Sequence, residues 1–112
     1  MQIKERTVPQ GIILDVEGDL TYANQAVFKT AVEKVKQAGC RHLMMNLEQV
    51  RFVDSAGLGL LVLVAQSFKL LQTEVSILKP QSYVREIMSL ANIPKLIPIF
   101  EREEDALTAR AA

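Results

Sequence analysis

Tryptophan is absent, histidine and cysteine occur once each, and thirteen basic residues are matched by thirteen acidic ones. Each scarcity removes a class of function. A tetrahedral zinc site is built mainly from cysteine and histidine, and Cys40 and His42 are the whole supply of both; no metal is expected. A lone thiol cannot close an internal disulfide and fits a reducing compartment. Zero net charge denies the chain the basic patch that nucleic acid requires, so no nucleic-acid partner is expected. The longest apolar run, Ala56 to Ala65, is ten residues, well short of the roughly 18 a membrane-spanning helix needs. The opening Met1-Gln2-Ile3-Lys4-Glu5-Arg6 lacks the apolar core of a signal peptide. The expectation is a soluble, cytoplasmic protein that neither touches a membrane nor carries a cofactor.

What is present suits one packed domain, residues 1–112. Apolar residues make up 49% of the chain, too many for disorder. Ile3 to Val8 reads as a strand, closed by the turn signal Pro9-Gln10-Gly11. Ile12, Leu14 and Val16 alternate with Ile13, Asp15 and Glu17, a strand with one buried face. Asn24 is placed to cap a helix whose stripe is Val27, Phe28, Ala31, Val32, Val35 and Ala38, with Gly39 as its stop. Leu43-Met44-Met45-Asn46-Leu47 reads as a central strand covered on both faces. From about Ala56 to Leu71 runs a helix apolar nearly all round, which predicts a buried one. Val75 and Ile77 mark a strand ended by Lys79-Pro80, and Val84, Ile87, Met88 and Ala91 mark a helix. Ile97 to Phe100 suits a short last strand and Glu101 to Arg110 a charged helix turned in at Ala106 and Leu107. The order β-β-α-β-α-β-α-β-α predicts an α/β fold: a mixed sheet of about five strands with four helices.

Between the central strand and the apolar helix lies Phe52-Val53-Asp54-Ser55-Ala56-Gly57-Leu58-Gly59. Catalysis by Ser55 would need a base, His42 is the only imidazole, and no Gly-x-Ser-x-Gly elbow surrounds the serine. Gly57-Leu58-Gly59 is not a dinucleotide fingerprint, because Val62 stands where the third glycine belongs. The two glycines instead suggest close approach of the helix to its neighbours. Asp54 and Ser55 then admit two readings. They cap the helix, or Ser55 is a charge-changing switch, since a phosphate there would meet backbone N–H groups and the positive end of the helix.

The run Asn46 to Gly59, with Arg41-His42-Leu43 and Gly18-Asp19-Leu20 upstream, resembles the signature of STAS domains, most of all the small stand-alone bacterial anti-sigma factor antagonists. The resemblance implies a STAS fold with its helices packed mainly on one face of the sheet. It implies phosphorylation of Ser55 by a partner that is both anti-sigma factor and serine kinase of the GHKL type. The unphosphorylated protein would bind that kinase and free a sigma factor, and a PP2C-type phosphatase would reset the phosphorylated form. No catalytic residue is implied, and the protein is expected not to be an enzyme. Thr21 replaces the second acid of the family's Gly-Glu-Leu-Asp motif, and Ala56 stands where relatives often carry a second hydroxyl. The expected docking surface is Asp19, Thr21, Tyr22, Asn24, Asp54, Ser55, Ala56, Gly57 and Leu58. The competing expectation is a STAS module that is never phosphorylated and binds a small ligand or a permanent partner in a transport or lipid-trafficking complex.

Overall fold

In a computed structural model, residues 1–108 are described. Strands β1 (Gln2–Val8) and β2 (Gly11–Glu17) form a hairpin in which Val8 faces Gly11 across Pro9-Gln10. Helix α1 (Gln25–Ala38) carries the chain to β3 (His42–Gln49), which lies parallel to β2. Helix α2 (Ser55–Leu70) leads to β4 (Glu74–Leu78), parallel to β3, and α3 (Ser82–Leu90) to β5 (Ile99–Phe100), parallel to β4. A last helix, α4 (Glu103–Thr108), follows. The sheet order is β1-β2-β3-β4-β5; among the described residues only the N-terminal hairpin is antiparallel, and β3 is central. A parallel pair needs a crossover of a dozen or more residues, which explains why a helix-bearing segment precedes each strand after the hairpin.

The main core lies on one face of the sheet. Ile12, Leu14, Leu43, Met45, Leu47 and Ile77 pack there against Phe28 and Val35 of α1, Leu61 and Phe68 of α2, and Val84 and Met88 of α3. Each such side chain contributes about 1.5–3 kcal/mol when fully buried. On the other face Ile13, Met44 and Leu78 meet Ala106, with Val8, Phe100 and Leu107 at the margin. That small second core corrects the one-faced reading of β2: Ile13 is buried too, beneath α4. At its edge Arg6 clamps Asp15 through Nε and Nη2 at 2.6 and 2.9 Å and donates to Glu103 at 2.9 Å, while Asn46 donates to Asp15 at 2.8 Å. The Arg6 bond, reinforced by Asn46, holds the Asp15 carboxyl below the usual carboxylate range.

Other expectations shift at the edges. Helix α2 is buried along one face only: Leu60, Leu61, Val64 and Phe68 point inward, while Leu63 is 55% exposed. A helix laid on a sheet leaves its outer side to solvent, and exposed leucines are common there. Asn24 stands at the start of α1 but makes no capping bond; its amide donates to the Asp19 carbonyl at 2.8 Å, because the tight turn Tyr22–Asn24 runs directly into the helix. Gly39 ends α1 as expected, its φ of 76° lying in the region that favours glycine and its N–H bonded to the Val35 carbonyl. Ala91 falls one residue beyond α3, and Arg110 lies outside the described residues. Among the described residues no helix is long and apolar enough to cross a membrane.

Candidate functional site

The C-terminal ends of β2 and β3 are stitched together. Leu20 and Val53 form a bridge, the Leu20 N–H donates to the Phe52 carbonyl at 2.9 Å, and the Asp54 N–H donates to the Leu20 carbonyl at 3.3 Å. The loop from Asp19 to Asn24 is thereby fixed against the start of α2. Asp54 completes the joint. Its backbone is extended, and its carboxylate accepts from the Gly57 N–H at 2.8 Å and from the Tyr22 N–H at 3.1 Å. The Gly57 bond first, and the Tyr22 bond next, hold this carboxyl below its ordinary range. Asp54 is therefore the helix cap, and it ties two loops with one side chain.

Gly57 is required by the same closure. A Cβ there would overlap the carbonyl group of Leu20. Gly59 differs from what the sequence suggested: a Cβ on it would meet nothing within 4 Å, so only the first of the two glycines serves close approach.

Ser55 occupies the first turn of α2 and is exposed, and among the described residues no hydrogen bond holds its hydroxyl. Because Asp54 supplies the cap, Ser55 has no capping bond to make. His42 begins β3 and Ser55 lies past its far end. At about 3.3 Å per residue the eight-residue strand holds them roughly 20 Å apart, so the imidazole cannot act as a base on the serine. His42 is instead buried, its Nε2 2.6 Å from Ser76 Oγ, and burial pushes it below its ordinary pKa.

The expected docking residues converge on this end. Asp19 and Tyr22 are exposed, Tyr22 at 70%; Thr21, Asn24, Asp54, Ala56 and Leu58 are half-buried; Gly57 is buried. Two residues were overlooked. Phe52 and Tyr83, 40% and 57% exposed, stack beside the loop with ring centroids 6.3 Å apart and planes at 19°. Phe52 lies between Val50 and Val53, both buried, and resembles them in sequence, and Tyr83 falls off the inward stripe of α3. That off-stripe position was the one available signal.

A family model for the STAS domain matches residues 2–106. The chain belongs to the STAS domain family. Among curated relatives it is 24% identical over 101 residues to the anti-sigma F factor antagonist of Paenibacillus polymyxa, covering 87% of this chain and 84% of that protein. The crystal structure of an anti-sigma factor antagonist from Mycobacterium paratuberculosis superposes with a TM-score of 0.87 at 19% identity, covering 96% of this chain and 91% of that one. SpoIIAA has been solved in two forms. The unphosphorylated antagonist matches with a TM-score of 0.78 at 18% identity over 95% of this chain and 93% of its own. The phosphorylated form, from Bacillus, matches with 0.72 at 17% over 95% and 96%. At these identities the structural likeness is one of fold. Among the described residues this STAS domain has the mixed five-stranded sheet and four α-helices the sequence led us to expect, with three helices on one face and the fourth on the other.

Proposed function

We propose that this protein is an anti-sigma factor antagonist that works by partner switching on Ser55. Unphosphorylated, it binds an anti-sigma factor that is also a serine kinase of the GHKL type, and so frees a sigma factor. Phosphorylated on Ser55, it lets go, and a PP2C-type phosphatase resets it. It acts in the cytoplasm as a kinase substrate, not as an enzyme, and the chain works as one STAS domain.

The observation that carries this reading is an exposed, unengaged hydroxyl at the first turn of α2, beside an aspartate that already supplies the cap. A serine needed only to end a helix would not sit next to a completed cap, which weighs against the permanent-partner alternative. Phosphorylation would add about −1.5 to −2 charges. The helix start offsets part of that charge, while Asp54 opposes it. The fold persists and the docking surface turns negative. Weakening a complex a hundredfold takes about 2.8 kcal/mol, and unbalancing one buried interfacial charge costs about 2–5 kcal/mol, so no rearrangement of the sheet is needed.

The test is phosphorylation by purified GHKL-type kinases of the source organism with ATP, the phosphate mapped by mass spectrometry. Ser55→Ala should abolish labelling and keep kinase binding, and Ser55→Glu should weaken binding. Phosphate mapped elsewhere, or Ser55→Glu binding as tightly as wild type, would overturn the proposal.

A further inference from the structure

Four phenylalanines and two tyrosines are all the aromatic residues in the chain. Phe28 and Phe68 are fully buried and Phe100 is half-buried, while Tyr22, Phe52 and Tyr83 are exposed. These three follow the C-terminal ends of β2, β3 and β4, on consecutive strands of the sheet. Ser55 follows the middle strand. The exposed aromatic surface thus brackets the serine, with Tyr22 on the β2 side and Tyr83 on the β4 side, stacked on Phe52.

We infer that the stacked Phe52–Tyr83 pair is the apolar anchor by which the kinase holds this domain, so that a partner reaching from it to Tyr22 straddles Ser55. The inference rests on the partner-switching reading. Tyrosine is enriched among residues that dominate binding energy. The pair is also held in place before binding. Gln81 Nε2 donates to the Glu48 carbonyl at 2.8 Å and Lys79 Nζ lies 3.9 Å from Glu48 Oε1, so the start of α3 is tied to the end of β3. Rings fixed in advance lose little freedom on docking. Around the patch, Glu17 and Asp19 are exposed carboxylates on the Tyr22 side, whereas Glu48 is paired with Lys79 and the exposed Arg51 adjoins Phe52. The partner surface that fits is therefore an apolar cleft with lysine or arginine on the rim that meets Glu17 and Asp19.

This arrangement also accounts for release. A footprint that spans both aromatic sites seals Ser55 from water at its centre. A phosphate added there would be stranded without solvent, where an unbalanced charge is most costly.

The experiment titrates variants into whichever purified GHKL-type kinase phosphorylates the wild-type protein on Ser55. Tyr83→Ala and Phe52→Ala should each raise Kd at least about tenfold, with Tyr83→Phe near wild type because the ring and not the hydroxyl makes the stack. Thermal melts of the Tyr83 variants should stay close to wild type, since that ring is more than half exposed, and they carry the test should Phe52→Ala lose stability. If no such kinase phosphorylates the wild type, the proposed function falls and this inference with it. If the wild type is phosphorylated on Ser55 and Tyr83→Ala binds with unchanged Kd, the inference alone is overturned. Wild type eluting as a dimer that Tyr83→Ala dissolves would likewise overturn it, by assigning the patch to a second copy of the chain.

Discussion

Where β2, β3 and β4 run out, the exposed apolar residues are Tyr22, Phe52 and Tyr83, with Val27 in the first turn of α1; at the opposite end of the sheet, where α2 and α3 end, they are Leu70, Leu71, Leu90 and Leu96. The polar groups divide in the same way. At the far end His42 meets Ser76, the Thr73 hydroxyl donates to the Cys40 carbonyl at 3.1 Å, and the Glu74 N–H donates to the Arg41 carbonyl at 3.0 Å. Burial pushes the Cys40 thiol up in pKa, which makes it a sluggish nucleophile. At the near end the backbone is just as firmly joined, yet a hydroxyl and three rings are left over. Exposed leucines are ordinary and are under-represented in binding hot spots, whereas tyrosine is enriched there. This sheet therefore has one end that finishes the fold and one that displays groups the fold does not use.

The sharpest way to break this contrast is at Gly57. Replacing it by valine drives a side chain into the Leu20 carbonyl and separates the two stitched loops. We expect a loss of about 1–3 kcal/mol in chemical denaturation, together with loss of Ser55 phosphorylation. Gly59→Ala, two residues on and facing open space, should gain up to about 1 kcal/mol from helix propensity. Equal effects of the two substitutions would mean that the joint between Leu20 and α2 carries no load.

The far end should report itself in the pH dependence of stability. His42 is held neutral by burial, so its folded pKa lies below its unfolded value, while Glu74 nearby pulls weakly the other way. Below pH about 6.5 the unfolded chain takes up a proton that the folded one refuses, and stability should fall as pH falls, by at most about 1.4 kcal/mol per pH unit. His42→Gln should flatten this limb of a plot of urea midpoint against pH. Asp15 acts in a separate, lower window. Its folded pKa is depressed by Arg6, so its contribution is present above about pH 4 and is lost as pH drops through the folded value. Asp15→Asn should flatten only that second limb.

A smaller effect is expected at the near end from Asp54→Ala. It removes the acceptor shared by Gly57 and Tyr22 and should lower the melting temperature by about 5 °C. The initial rate of Ser55 phosphorylation should fall further than that shift explains, because the Tyr22 loop is released. An unchanged rate would show that the loop is held by the Leu20–Val53 bridge alone.

Much of this was legible because local pattern and tertiary role agree. Leu43 to Leu47 is apolar on both faces, and β3 is the central strand. The run from Asp54 to Gly59 marked both the helix start and the exposed serine. What was missed depends on contacts remote in sequence. Nothing near Ile13 announces that α4 will fold back over it. Phe52 looks like Val50 and Val53, which are buried, and only its stacking with Tyr83, far along the chain, distinguishes it. Asn24 holds the expected position before α1, but its side chain makes no capping bond because it belongs to a short turn that runs into the helix, a choice propensity does not disclose. The one-faced burial of α2 escaped for a similar reason, since an all-round apolar pattern does not say which face meets the sheet.

The smallest expected effect is also the one that most directly tests whether the two ends differ in kind. Leu70 and Leu90 are 86% and 81% exposed, more than any of the three aromatics, so exposure alone would rank them first as anchors. If what matters is position beside Ser55 and a ring held ready, replacing them should do nothing to docking. Leu70→Gln with Leu90→Gln should leave kinase affinity and Ser55 phosphorylation within about twofold of wild type, and stability within about 0.5 kcal/mol. A drop in affinity comparable to that of Tyr83→Ala would place the partner across both ends of the sheet and would end the claim that one end only completes the fold.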